Sequence, residues 1–407
     1  MSTKSKESGS IRDLPPAIWV VSVISFSVAL GFGILAPVIP LFARSFGVSV
    51  FAASTVISIF GLTRIISAPV SGILIEKVGE RFVLSAGLIL VAVTTGLAGT
   101  ANDFFHLLLL RGIGGFGSAM FTVSATSLVV RMAPRHLRAR ASSVSNGGFL
   151  VGTLFGPALG AAVLGISIRA PFFLYSMTVS IAAVISILFL SSKRTTPEDQ
   201  PDSTSNVKSH LRLIDGFRHA GYRAAFTVSL LIGFAFLGIR QTAVPIYVTE
   251  ELKESASLVA YGFFTASASQ ILILLPAGKY ADTKGRRGAM VIGSSLALVS
   301  SIFLMAWQST LGFFLSMIFS GLAGAFLGSA PAAIVGDVVE GRRRGPLLAA
   351  FQMAADIGVI VGPLIAGLTI DGYGFTETFG IAVVATLITL IVTLMIPKKY
   401  KPTEVAQ

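Results

Sequence analysis

A chain of 407 residues that is 53% hydrophobic and 12% charged, with mean hydropathy +0.82, excludes a soluble domain carrying a single anchor and reads as a polytopic membrane protein. Cysteine is absent, which excludes disulfides, thiolate metal sites and cysteine nucleophiles, and the four histidines (His106, His136, His210, His219) have no metal-ligand spacing. A net charge of +12 would suit nucleic acid if it were clustered, but here the basic residues fall mostly in short loops between apolar stretches.

Residues 1–13 form a polar tail with Lys4, Lys6 and Arg12. The apolar run behind it lasts about 25 residues, longer than a signal-peptide core, and no small-residue cleavage site interrupts it. It is expected to stay as the first membrane helix. A spanning helix needs about 20 mostly apolar residues, and twelve such stretches follow one another. Their approximate bounds are 17–41, 50–74, 82–101, 104–130, 141–166 and 171–191, then 224–248, 256–278, 288–307, 311–336, 346–369 and 375–396. The expected fold class is therefore an all-α membrane protein of twelve transmembrane helices. Its expected divisions are a tail (1–13), a six-helix bundle (14–191), a linker (192–223), a second six-helix bundle (224–397) and a tail (398–407). With both ends on the inner side, about 25 of the 31 Lys and Arg lie in inner segments, which predicts cytoplasmic termini.

After the second span comes Gly72-Ile-Leu-Ile-Glu76-Lys77-Val-Gly79-Glu80-Arg81. Gly72 is expected to permit close helix contact and Gly79 a tight reversal. Between them Glu76 can approach the exposed N–H groups that open a neighbouring helix, while Lys77 and Arg81 hold the loop at the membrane surface. The fourth span carries Arg111 before Gly114, Gly115 and Gly117; a buried arginine there must face a cavity or a partner. The Gly112, Gly114, Gly117 spacing matches a dinucleotide pattern only nominally, since no strand precedes it. In the fifth span Gly152, Gly156, Pro157 and Gly160 give a small-residue face and a bend.

The linker opens with a Ser/Thr/Pro/Asp/Lys-rich stretch and closes with Leu211, Leu213, Ile214 and Phe217 among Arg212, Arg218 and Arg223, either a surface-lying basic amphipathic helix or a solvated tether. The loop after the eighth span, Gly278-Lys-Tyr-Ala-Asp282-Thr-Lys-Gly285-Arg286-Arg287, repeats the one after the second. The eleventh span repeats the glycine–proline face at Gly362 and Pro363, and it holds Asp356 roughly 15 Å inside the membrane with Gln352 one turn earlier. Arg64, Arg111, Arg240 and Asp356 are the ionisable residues inside spans. Arg64 is read as reaching toward the cytoplasmic surface. Asn146, Gln241, Gln270 and Gln352 are the expected cavity-lining hydrogen-bonding groups.

One shift of 206 residues brings these features into register: Gly72 with Gly278, Glu76 with Asp282, Gly79 with Gly285, Arg81 with Arg287, Arg138 with Arg344 and Gly156-Pro157 with Gly362-Pro363. A duplicated helical body with a substrate site between its halves is the arrangement of many secondary transporters.

The two loops resemble the loop signature of the major facilitator superfamily, and the fourth and fifth spans resemble signatures of its proton-driven drug exporters. The resemblance implies that the loops latch the cytoplasmic side, Glu76 near Arg344 and Asp282 near Arg138 and Arg140. Glu76 and Glu80 depart from the family form, which puts the first latch in doubt. It further implies that Arg111 serves proton coupling and that the fifth span marks export. The expected function is proton-antiport export of small amphipathic molecules, with Asp356 as the coupling carboxylate opposed by Arg240 or Arg111, or alternatively locked in a static ion pair. Two other readings are an uptake symporter or facilitator for a metabolite or sugar, and a non-transporting sensor or scaffold of the same fold. No catalysis, metal or cofactor is implied beyond a proton gradient. The expected partners are a small-molecule substrate, protons and lipid, with a monomeric chain and no nucleic acid.

Overall fold

The computed structural model describes residues 14–133, 137–190, 217–328, 330–338 and 345–396. Within them every regular element is a helix. That follows from the composition: in hydrocarbon each backbone N–H and C=O must be satisfied inside its own segment. In chain order the helices are α1 (Pro16–Leu35), a short α2 (Ile39–Arg44), α3 (Val50–Val78), α4 (Glu80–Gly99), α5 (Phe104–Met132), α6 (Arg138–Leu164) and α7 (Ala170–Phe189). They continue as α8 (Ala220–Glu251), α9 (Ala256–Lys284), α10 (Arg286–Ala306), α11 (Thr310–Leu327), α12 (Ala330–Val338), α13 (Gly345–Gly372) and α14 (Phe375–Leu394). Twelve spans among them are long and apolar enough to cross a membrane.

The repeat reaches down to helix ends. Asp103 accepts a bond from the His106 N–H at the start of α5 (2.8 Å), and Ser309 accepts one from the Gly312 N–H at the start of α11 (3.1 Å). Each side chain satisfies an orphan donor of the first turn, so the two helices start at matching places. Gly79 and Gly285 turn the chain between consecutive helices with φ of 91° and 101°. A side chain is disfavoured in that left-handed region, which is why both copies keep glycine.

The chain divides into two compact units. The first runs to Leu35 and resumes at Leu62; the second takes Ala36–Gly61 and the later half of the chain. The division therefore differs from the expected 14–191 and 224–397 bundles in one segment. Its reason is a set of bonds inside the second unit. Arg44 pairs with Glu250 at 2.7 Å, the Asp371 carboxylate accepts from the Val50 and Phe51 N–H groups at 2.9 and 2.8 Å, and Ser58 donates to the Ile360 carbonyl at 2.7 Å. The bond to Glu250 raises the pKa of Arg44, against the opposing effect of partial burial.

In the first unit α4 packs so closely on α5 that a Cβ on Gly87 would stand 2.7 Å from the Gly117 carbonyl oxygen. In the second, Tyr222, Met290, Ile334 and Leu347 centre a buried cluster, and the Tyr222 hydroxyl donates to the Leu347 carbonyl at 2.8 Å. Most of the expected linker, Leu211 to Ile214 included, lies outside the described residues. Phe217 is described, and its ring meets Tyr222 and Phe226 edge-on, with centroids 5.2 and 5.0 Å away.

Candidate functional site

Asp356 stands well inside α13, eleven residues past its start, and is partly accessible. Side chains four apart share a helix face, so Gln352, Asp356 and Ile360 form one stripe. At Ile360 that stripe meets α3: the side chain stands 3.0 Å from a Cβ built on Gly61, and the carbonyl accepts from Ser58. The opposite stripe is small and pressed onto α8. A Cβ on Gly358 would stand 2.4 Å from the Leu230 oxygen, and one on Gly362 would stand 2.5 Å from the Phe234 oxygen. The expected division of this helix into a polar face and a small face is therefore present. Among the described residues the ion pairs are Arg44–Glu250 and Arg131–Glu80, so Asp356 is in none of them.

Arg240 lies on α8, directly after a seven-residue π-helical stretch, Gly233–Ile239. Such wide turns inside helices are frequent at functional sites. Its guanidinium stands over the Phe236 and Phe263 rings at 5.2 and 5.4 Å, donates from Nη1 to Ser320 Oγ on α11, and reaches the Phe236 carbonyl at 3.5 Å. On one side of it, between Ser300, Leu304 and Phe379, a void of about 10 Å³ has room for one water, and the arginine itself is partly accessible.

In the first unit Arg111 is 4% exposed and interacts electrostatically with Tyr175. The Tyr175 ring in turn fills the space left by Gly31 of α1, where a Cβ would clash with it. Gln270 lies over Gly324 of α11, its amide 3.2–3.3 Å from a Cβ built there, and Gln241 is partly accessible. Asn146 and Gln352 are accessible at the surface of their helices.

The loop residues divide into two groups. Glu76, Lys77 and Asp282 are exposed. Arg344, and the side chain of Arg138, lie outside the described residues, as does any docking onto them. Arg81 donates to the Ile187 carbonyl, and Arg287 donates to the Leu394 carbonyl at 2.9 Å. Both arginines thus cap the C-terminal ends of helices in their own units, α7 and α14, where cations are favoured. Arg286 similarly donates to the Ala333 carbonyl. Gly72 and Gly278 require a correction: among the described residues nothing lies within 4 Å of a Cβ placed on either, so neither is needed for close helix contact.

Glu80 also departs from expectation. It is 6% exposed and binds Arg131 at 2.7 and 2.9 Å and Ser127 at 3.2 Å. The glycines of the fifth span are used for packing: Cβ atoms on Gly152, Gly156 and Gly160 would stand 2.3 Å from the Phe26 oxygen, 2.6 Å from Gly33 Cα and 3.1 Å from the Ile34 oxygen of α1, and Pro157 Cδ adjoins Gly33.

Sequence reasoning missed Tyr175 as a neighbour of the buried Arg111, and Ser320, Phe236 and Phe263 as neighbours of the partly accessible Arg240. Ordinary apolar and small residues in apolar spans carry no signal of that kind. It also missed the Arg44–Glu250 pair: the two residues are separated by the repeat distance of 206, but equivalence in a repeat does not predict contact.

Twelve spans among the described residues, a duplicated sequence and ionisable groups inside four of the helices are features of a helical membrane carrier. The profile of the Major Facilitator Superfamily matches residues 21–242 and 240–407, and the chain belongs to that superfamily of transporters. It is 23% identical over 372 residues to the Quinolone resistance protein NorA of Staphylococcus aureus, covering 87% of this chain and 90% of that one. It is also 23% identical over 364 residues to Multidrug resistance protein 2 of Bacillus subtilis (strain 168), covering 87% and 89%. Its fold is similar to that of a crystallised mutant of the nucleoside transporter NupG, with TM-score 0.70, 15% identity, and 93% and 98% of the two chains covered. A bacterial homologue of the human lysosomal transporter Spinster in an inward-facing, occupied conformation gives TM-score 0.71, 16% identity, and coverage of 93% and 94%.

Proposed function

We propose that this multi-pass transporter exports small amphipathic molecules by proton antiport, with Asp356 as the carboxylate that loads and releases the proton. The observation that carries the proposal is the position of Asp356: an acid deep in a span, on the face of α13 that meets α3, in no ion pair among the described residues. An acid whose hydration and neighbouring charge change as a carrier opens to one side and then the other can take up a proton on one side and release it on the other. Arg240 supplies positive field in the same unit, and Arg111 is the buried cation of the other. Export as the direction rests on two supports, the fifth-span signature and the drug-resistance names of the relatives. The basic inner loops support a cytoplasmic-membrane location with both termini inside.

The test begins with a compound-sensitivity screen of cells that overproduce the chain. Compounds that become less toxic are then added to inside-out vesicles carrying an imposed pH gradient. Each true substrate is expected to dissipate the gradient in the wild type and not in Asp356→Asn. Substrate-dependent proton movement that survives that substitution at full rate overturns the role of Asp356. Accumulation that requires a proton moving in the same direction as the compound establishes the symporter instead.

A further inference from the structure

We infer that the substrates of this transporter are amphipathic organic anions, and that Arg240 is the group that holds their acidic end. The inference deepens the export reading and rests on it for the word substrate.

Three arginines lie inside the spans (Arg64, Arg111 and Arg240) against one acid, Asp356. A guanidinium in a membrane interior is costly and is retained where it meets an opposite charge or a hydrated cavity. Arg240 has no carboxylate within 4.0 Å among the described residues. Its own contacts are two aromatic faces, one serine hydroxyl and one carbonyl at the edge of hydrogen-bonding range. These leave most of its five donors unspent, and none of them neutralises the charge. Ring faces attract a cation without competing for the in-plane N–H edge, which is the edge that receives an oxyanion.

The arrangement therefore offers a positive, planar fork flanked by Phe236 and Phe263, complementary to a carboxylate or sulfonate attached to a flat apolar body. The wide helical turn immediately before Arg240 is a second, independent mark of a working position. A cationic drug would find the opposite: like charge at Arg240 and a single acid elsewhere.

The test is equilibrium binding to the full-length chain in lipid nanodiscs, using three ligands of one shape: 2-naphthoate, 2-naphthamide and 2-naphthylmethylammonium. Naphthoate is expected to bind at least tenfold more tightly than the amide, and the ammonium more weakly than either. Arg240→Gln is expected to remove the preference for naphthoate over the amide, and Arg240→Lys to restore part of it. Equal binding of naphthoate and amide, tightest binding of the ammonium, or no binding of any of the three overturns the inference. So does an intact preference in Arg240→Gln.

Where that variant aggregates, the wild type is treated with the arginine reagent phenylglyoxal, and the peptide containing Arg240 is followed by mass spectrometry. Protection by naphthoate but not by the amide supports the inference, and absence of protection overturns it. The two proposals fail separately. Proton-driven export confined to cations would leave the export reading standing without this one. A naphthoate preference in a chain that moves no protons would do the reverse.

Discussion

Glu80 begins α4 beside the exposed N–H groups of its first turn, where negative charge is favoured, and it is nearly enclosed against Arg131 and Ser127 of α5. Arg131 is about half exposed (45%), so the pair is worth less than a fully buried one. Glu80→Gln keeps an acceptor for Ser127 and removes the charge. It is expected to cost about 1–2 kcal/mol, read as a lower thermal midpoint of the purified chain, with a smaller deficit in the Arg131→Gln background. A midpoint unchanged by the substitution would show that the pair is ornamental. The family pattern made Glu80 look like a damaged latch residue. Its partner lies 51 residues on, and sequence spacing carries no information about which side chain of a neighbouring helix turns toward a given loop.

At the scale of the helix, the small-residue faces were legible because glycines four apart have few other uses in a span. The direction each face takes was legible only where polar residues marked the other side, as Gln352 and Asp356 do on α13. The value of those glycines is set by distance. On α6 the Cβ of Gly156→Ala would lie 2.6 Å from the backbone of α1, and backbone cannot yield. That substitution is expected to destabilise the first unit by about 1–3 kcal/mol, visible as lower yield and an earlier melting transition. Gly72→Ala is the opposite case: the position is inside α3 with open space around it, and alanine is the better helix former by about 1 kcal/mol. Its expected effect on stability is neutral or favourable. A Gly72→Ala variant as damaged as Gly156→Ala would mean that the first glycine of the loop serves a contact made only in another conformation.

For the whole molecule the repeat was the most readable property, because duplication preserves charged loops and cap positions that hydropathy alone would not align. The 36–61 segment was not readable in this way. It follows the first span in sequence, yet its bonds are to Glu250, Ile360 and Asp371, and no periodicity announces a contact between positions over 200 residues apart. The absence of cysteine makes this attachment directly measurable. A Cβ on Gly61 would lie 3.0 Å from Ile360 Cγ1 and meets no backbone, so Gly61→Cys with Ile360→Cys places two thiols within bonding reach. With a protease site inserted in the 192–223 linker, cleavage separates Gly61 from Ile360 on a denaturing gel unless a disulfide holds the fragments together. Mild oxidant is expected to retain the full-length band and reductant to split it. If transport requires the 36–61 segment to leave α13 once per cycle, the same oxidant stops flux in this variant and reductant restores it. The cysteine-free parent, treated identically, keeps transporting. Efficient cross-linking with undiminished flux would show that the segment and the second unit move as one body throughout the cycle.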